Sequence, residues 1–337
     1  MSRLRFAVIG AGHLGKIHTR LISQNARAEL VGVVDSHRTA AENTANEHST
    51  EAFDSYDGIS DRIDAAIVAA PTVAHEQIAN DLISSGVHVF VEKPITVHPA
   101  QAKRLISAAA KRGVALQVGH VEQFNPAWQT ASRLLKHPSF LSAHRCAPFS
   151  FRSTDISVVH DLMIHDIELV LSAVDRPVVD VKAWGQCVLT DHEDTATAWI
   201  QFDDGRMANL TASRVHHEQV RQMHVHEGSQ QIVVDFAGGS VTTLDAGNAL
   251  GSLSSFSPGQ LRELQAAGVE GVMSFDDHEV VAGNAIVQEH EDFIDSILEN
   301  RQPRVSGQQG HDALVLAEQI VAEIRRHKGR VSLRPAA

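Results

Sequence analysis

Short apolar runs alternate with stretches of helical period through the first 120 residues. LRFAVIG (4–10), ELVGVVD (29–35), AAIVAA (65–70), VHVFVE (87–92) and VALQVGH (114–120) are brief and largely apolar, which predicts strands. Helical period fills the intervals at 13–23, 73–84 and 99–111. Strands that are apolar at nearly every position must be covered on both faces, as in a parallel sheet flanked by helices. Right-handed crossovers then give a doubly wound sheet.

The pattern changes after Val121. NPAWQTASRLL (125–135) predicts a helix with proline in its first turn, and a second helix is expected over 161–173. From Arg176 onward the period is two. VVDVKAWGQCVL (178–189), TATAWIQFDDGRMANLTASR (195–214) and RQMHVHEGSQQIVVDF (221–236) predict hairpins, with turns at Asp204-Gly205 and Gly228-Ser229. Residues 246–275 hold Gly and Ser with little periodicity and are expected to form a long loop or lid. HDALVLAEQIVAEIRR (311–326) closes the chain as an amphipathic helix with basic residues in its last turn. The expected organisation is a doubly wound α/β domain over 1–120 and an α+β domain over 121–337.

Composition narrows the class. The chain has 337 residues, 43% apolar and 21% charged, enough for about two cored domains and unlike a disordered or collagenous chain. Its 29 basic and 41 acidic residues leave a net charge of −12 with no basic run, which argues against nucleic-acid binding. Two cysteines, Cys146 and Cys187, make no disulfide framework and no zinc motif. The start MSRLRFAVIGAG runs directly into a strand, and no apolar stretch reaches the roughly 18 residues of a membrane helix. No membrane insertion and a cytoplasmic location are expected. The 21 histidines are unusual. If all were exposed, half-protonation near pH 6.5 would add about ten positive charges and nearly cancel the acidic excess.

GAGHLG (10–15) is a G-x-G-x-x-G between a strand and a helix. Gly10 permits the tight turn, Gly12 lets backbone approach a pyrophosphate, and Gly15 allows the helix to pack on the strand. His13 and Leu14 lie in the same loop, and the helix N-terminus offers N–H groups to an anion. Asp35 ends the next strand, where a carboxylate accepts hydrogen bonds from ribose hydroxyls and repels a 2′-phosphate. NAD is therefore favoured over NADP, although Arg38 lies close enough in sequence to accommodate a 2′-phosphate.

VEKPI (91–95) follows a strand, and an ammonium at Lys93 there can polarise a substrate hydroxyl; a lysine in a turn before proline is the plain alternative. DLMIH (161–165) spaces Asp161 and His165 one helical turn apart, an arrangement suited to moving a proton, or simply a polar helix face. His160 and Asp166 point elsewhere. GAGHLG, APTVAH (70–75), EKP (92–94) and this D-x-x-x-H together resemble the Gfo/Idh/MocA family of NAD(P)-dependent sugar oxidoreductases over nearly the whole chain. The resemblance implies an α/β Rossmann domain followed by an α+β domain with an open, mostly antiparallel sheet. It implies a catalytic trio of Lys93, Asp161 and His165, cofactor contacts at Ala70, Pro71, His75, Glu92 and Lys93, and a cis Lys93–Pro94 bond. A Gly-rich run that many members carry before the catalytic Asp is replaced here by STDISVVHDLMIH (153–165), which marks a subgroup.

VGHVEQFNPA (118–127), HDLMIHDIELVLS (160–172), TASR (211–214) and the segment 221–236 are similar to members that oxidise the 3-hydroxyl of UDP-N-acetylglucosamine to a ketone for amination, in lipid A or surface-glycan synthesis. That likeness makes His120, Glu122 and Asn125 candidates for the sugar, and Arg145 and Arg152 candidates for the two phosphates. Packing of the domain hinge explains the first three equally well. A free sugar or cyclic polyol such as inositol is the alternative substrate, and a non-catalytic NAD-binding redox sensor is the alternative class. HVH (224–226) puts two imidazoles on one strand face, but neither a cysteine nor a supporting pattern accompanies them, so no metal is expected. The resemblance also implies a homodimer or homotetramer formed through the second sheet, with AWIQF (198–202) offering apolar residues.

Overall fold

The computed structural model describes residues 3–246, 257–267 and 274–328. Its first part runs β1 (Leu4–Ile9), α1 (His13–Ser23), β2 (Ala28–Val34), α2 (Arg38–Glu47), β3 (Glu51–Phe53), β4 (Ala65–Val68), α3 (Thr72–Ser84), β5 (His88–Glu92), α4 (Pro99–Arg112) and β6 (Leu116–Gly119). The six strands are parallel in the order β3-β2-β1-β4-β5-β6. This is the doubly wound order, and it reverses between β1 and β4, the position at which such sheets bind ligands beyond their carboxyl ends. β3 is only three residues long and escaped the apolar pattern.

The chain continues as α5 (Pro126–Ser132), β7 (Phe140–Cys146), α6 (Ile164–Val174), β8 (Val178–Gln186), β9 (Thr195–Phe202), β10 (Met207–Ser213), β11 (Val220–Glu227), β12 (Gln230–Asp235), β13 (Ser240–Asp245), α7 (Pro258–Ala267), β14 (Ser274–His278), α8 (Ala285–Leu298) and α9 (Gly307–Lys328). β7 to β14 form an eight-stranded sheet ordered β14-β13-β12-β11-β7-β10-β9-β8. Among the described residues only the β7–β10 pair of this sheet is parallel, so it is mostly antiparallel as expected. The turns at Asp204-Gly205 and Gly228-Ser229 join β9 to β10 and β11 to β12, with Gly205 at φ +88° and Gly228 at φ +60°. The 246–275 segment differs from a plain loop, because it holds α7 and the first residues of β14; residues 247–256 and 268–273 lie outside the described residues.

Two compact units result: Met1–Phe124 with Asn284–Val315, and Asn125–Gly283 with Leu316–Ala337. The stretch 284–315 thus belongs with the first unit, although it lies within 121–337. The reason is burial. One face of the first sheet, with Ala7, Ile9, Ala66, Val68, Val89 and Val91, packs with α3 and α4 through Ala79, Leu82 and Leu105. The other face, with Phe6, Val8, Ile67 and Phe90, is covered by Ile22 of α1 and by Phe293 and Ile294 of α8. Phe293 meets Phe6 and Phe90 edge-on at 6.1 and 6.0 Å. In the second unit, Ala198, Ile200 and Phe202 point inward and are fully buried, whereas Trp199 and Trp184 lie on the opposite, open face.

Candidate active site

The glycine loop turns between β1 and α1. Gly10 sits at φ +106°, and a Cβ there would come within 2.6 Å of the Ala69 carbonyl oxygen. A Cβ on Gly15 would lie 1.8 Å from the Gly10 oxygen. Gly12 differs: a Cβ there meets nothing within 4 Å, so packing does not require glycine. Its exposure fits the close approach of a phosphate instead. Gly12 is also the N-cap of α1 and has no side chain to cap it, so the first-turn N–H groups face outward beside exposed His13 and half-buried Leu14.

The Asp35 carboxylate closes the other side of the loop. One oxygen accepts the Ala11 N–H at 2.7 Å and the other accepts the His37 N–H at 2.8 Å. It stands half-buried just after β2. Arg38 begins α2 and is highly exposed, its guanidinium hydrogen-bonded to Glu42 at 2.8 Å. An acceptor at Asp35 and a paired arginine suit NAD better than NADP. The glycine cradle, the open N–H groups and Asp35 together fit a dinucleotide.

At the same sheet edge, the Lys93–Pro94 peptide bond is cis and Lys93 is half-buried. His75 on α3 is buried, with Nδ1 3.0 Å from the Pro94 carbonyl and Nε2 2.8 Å from the Ala70 carbonyl. It therefore staples the loop after β4, which contains Ala70 and exposed Pro71, to the loop after β5. Burial pulls its pKa below the ordinary value against these carbonyls, which favour the charged ring. Glu92 is buried beside Lys93. One oxygen is 2.8 Å from Nε2 of His18 and the other accepts the Lys93 N–H at 3.1 Å. His120 follows β6, fully buried, and is pushed down to about 3 by burial and by the charge of Lys93. Glu122 is buried in the 3₁₀ turn that follows. Lys93, Glu92 and His120 are thus electrostatic neighbours.

In the second unit, residues Val159–Met163 form a π-helical turn that leads into α6. Wide turns of this kind are rare and concentrate at functional sites. Asp161 lies within it and His165 in the first turn of α6, both half-buried. Their neighbours are engaged elsewhere, as the spacing predicts. His160 meets Glu318 of α9 at 2.9 Å, and Asp166 receives Arg145 of β7 through two hydrogen bonds of 3.0 and 2.7 Å. Arg145 is itself buried against Asp166, so the geometry makes it a brace for α6. Arg152 is exposed, between Phe151 at φ +55° and Ser153 at φ +52°. Asn125 caps α5 by accepting the Ala127 N–H at 3.0 Å.

Sequence reasoning missed two contributors. Arg214, in the TASR segment, is buried and donates to the carbonyls of Ser153 and Ile156, fixing the stretch before the π turn. His18 holds Glu92, and the only hint of it was a histidine three residues after Gly15. The HVH imidazoles, His224 and His226, both meet Gln231 of β12 at 3.1 and 3.4 Å. Among the described residues no three His, Cys, Asp or Glu side chains gather as metal ligands, and no helix is long and apolar enough to cross a membrane.

Comparison with known proteins bears on this arrangement. The model of the oxidoreductase family with an NAD-binding Rossmann fold matches residues 4–120, and that of the GFO/IDH/MocA C-terminal domain matches residues 147–242. A UDP-N-acetylglucosamine 3-dehydrogenase of Acidithiobacillus ferrooxidans is 34% identical over 95% of this chain and 97% of its own length. Its solved structure superposes with a TM-score of 0.86 at 32% identity, covering 97% of this chain and 99% of that one. A scyllo-inositol 2-dehydrogenase (NAD(+)) of Bacillus subtilis is 28% identical over 63% of this chain and 68% of its own. The chain belongs to the Gfo/Idh/MocA family of oxidoreductases, with an NAD-binding Rossmann fold in its first unit.

Proposed function

We propose that this chain is an NAD-dependent dehydrogenase that oxidises the 3-hydroxyl of UDP-N-acetylglucosamine to a 3-keto sugar. The observation that carries the reading is the extent of likeness: the UDP-N-acetylglucosamine 3-dehydrogenase is matched over 97% of its length, the inositol enzyme over 68%. A fold alone does not assign a substrate, so a match that runs through both domains is the informative one.

The glycine loop, the α1 N-terminus and Asp35 would hold NAD, which supplies the hydride acceptor. Lys93 donates a hydrogen bond to the substrate oxygen and stabilises its developing negative charge. His165 accepts the hydroxyl proton, and Asp161 orients that imidazole or binds a neighbouring ring hydroxyl. Arg152 is the exposed cation available for a diphosphate, and His120 with Glu122 supplies polar groups beside Lys93. A ketone at C3 suits later amination. We further place the enzyme in the cytoplasm as a homodimer or homotetramer, paired through the open face that carries Trp184 and Trp199.

Thermal-shift titration separates this from a polyol dehydrogenase. With NAD present, UDP-N-acetylglucosamine should raise the melting temperature more than UDP, free N-acetylglucosamine or myo-inositol. A larger shift from inositol than from the sugar nucleotide contradicts the proposal.

A further inference from the structure

Three buried side chains from separate elements of the first unit form a continuous chain. Nε2 of His18 on α1 lies 2.8 Å from Oε1 of Glu92 at the end of β5. Nδ1 of the same ring lies 2.8 Å from Nε2 of His290 on α8. His18 is 0%, His290 2% and Glu92 8% exposed. Phe90 packs edge-on against both imidazoles, at 5.4 and 6.2 Å from their ring centres.

The hydrogen positions follow from the acceptor at one end. A carboxylate only accepts, so the proton facing Glu92 sits on Nε2 of His18. One proton lies between Nδ1 of His18 and Nε2 of His290 and joins the two rings. Burial and the nearby His18 hold His290 well below the ordinary imidazole range, which keeps it neutral. His18 therefore donates to Glu92 and is itself held by His290. The second Glu92 oxygen receives the backbone N–H of Lys93. Burial alone would push the Glu92 carboxyl up, but His18 and Lys93 hold it below its usual value.

We propose that His18 and His290 are positioning residues for Lys93: they keep the buried Glu92 ionised and oriented, and so tie the nucleotide-binding helix to the segment that carries the lysine. The role of Lys93 rests on the function proposed above; the state of Glu92 does not. Around Glu92 the other titratable groups are Lys93, His75 from α3 and His120 after β6. Glu289, next to His290 on α8, is also buried.

The state of Glu92 can be read without substrate by infrared spectroscopy of the full chain at pH 7. His18→Leu removes the donor, and the carbonyl band of a protonated carboxyl should appear, absent from the wild type. His18→Gln, whose amide can donate to Glu92, should lack the band. Adding Glu92→Gln to His18→Leu should abolish it and so assign it. If the leucine variant does not fold, His18→Asn, too short to reach Glu92, takes its place with the same expected band. A folded variant without a donor and without the band overturns the proposal. In turnover, kcat of His18→Leu relative to wild type should recover as pH rises and Glu92 regains its charge. A loss of equal factor at every pH would mean a merely structural role and would also overturn it. Absence of turnover in the wild type would instead count against the substrate assignment.

Discussion

The Arg145 guanidinium and the Asp166 carboxylate form a buried, two-point ion pair at 3.0 and 2.7 Å, one residue beyond His165. Both side chains are 3% exposed, so neither charge has water to fall back on. Arg145→Ala should therefore destabilise the protein by about 3–5 kcal/mol, because it strands Asp166 as a buried charge. Arg145→Met combined with Asp166→Leu should recover much of that loss. Urea unfolding of the three proteins measures both effects. Equal stability of Arg145→Ala and wild type would mean that the brace is not needed.

The glycine loop gives a sharper separation of stability from binding. Gly15→Ala forces a Cβ to within 1.8 Å of a backbone oxygen and should unfold or strongly destabilise the first unit. Gly12→Ala meets nothing within 4 Å, so its melting temperature should stay within a few degrees of wild type. Its NAD affinity should nonetheless fall at least tenfold, about 1.4 kcal/mol. Calorimetric titration with NAD checks this, and unchanged affinity would remove the loop from the cofactor site.

On the proposed function, Asp35 sets the cofactor preference. Asp35→Ser removes the charge that repels a 2′-phosphate while keeping a short polar side chain. The ratio of kcat/KM for NADP over NAD should rise at least tenfold. A ratio that does not move would contradict the assignment of the ribose position.

Stability should depend on pH through histidines kept neutral by burial. His75, His120 and His290 all have pKa values below the ordinary imidazole value in the folded chain. Below about pH 6.5 the unfolded chain takes up protons that the native chain refuses, so stability is lost as pH falls from there towards the folded values. Glu92, held low by its partners, acts in the same direction. Each histidine contributes a slope of about 1.4 kcal/mol per pH unit once the unfolded ring is fully charged. Urea unfolding at pH 8, 7, 6 and 5 should show a plateau and then a decline, and His120→Gln should make the decline shallower. A flat profile down to pH 5 would show that these rings are charged in the native state.

The legible parts of the fold were those with one dominant signal. β1, β2, β4, β5 and β6 are apolar because both sheet faces are covered, and the alternating hairpins β8 to β12 announce one buried face. β3 is too short to register. β7 has its parallel partner β10 more than 60 residues away, and nothing local marks that pairing. α8 was missed for a chemical reason: its buried face includes Glu289, His290 and Ser296 beside Phe293 and Ile294. A polar residue buried through a specific partner looks like a surface residue in the sequence. The same blindness made Arg145 a candidate for phosphate, because Asp166 as its partner is visible only in three dimensions. Gly10, Asp35, Lys93, Asp161 and His165 are candidates through spacing and family likeness, whereas the π turn that holds Asp161 leaves no trace in composition.

NADH formation measures the proposed reaction directly. Purified wild-type chain with NAD should produce NADH from UDP-N-acetylglucosamine and far less from myo-inositol, scyllo-inositol or free N-acetylglucosamine. Lys93→Met and His165→Asn should each lower that rate by at least a hundredfold while NAD still binds. Robust NADH formation from an inositol but none from the sugar nucleotide, or full turnover in either variant, would contradict the account.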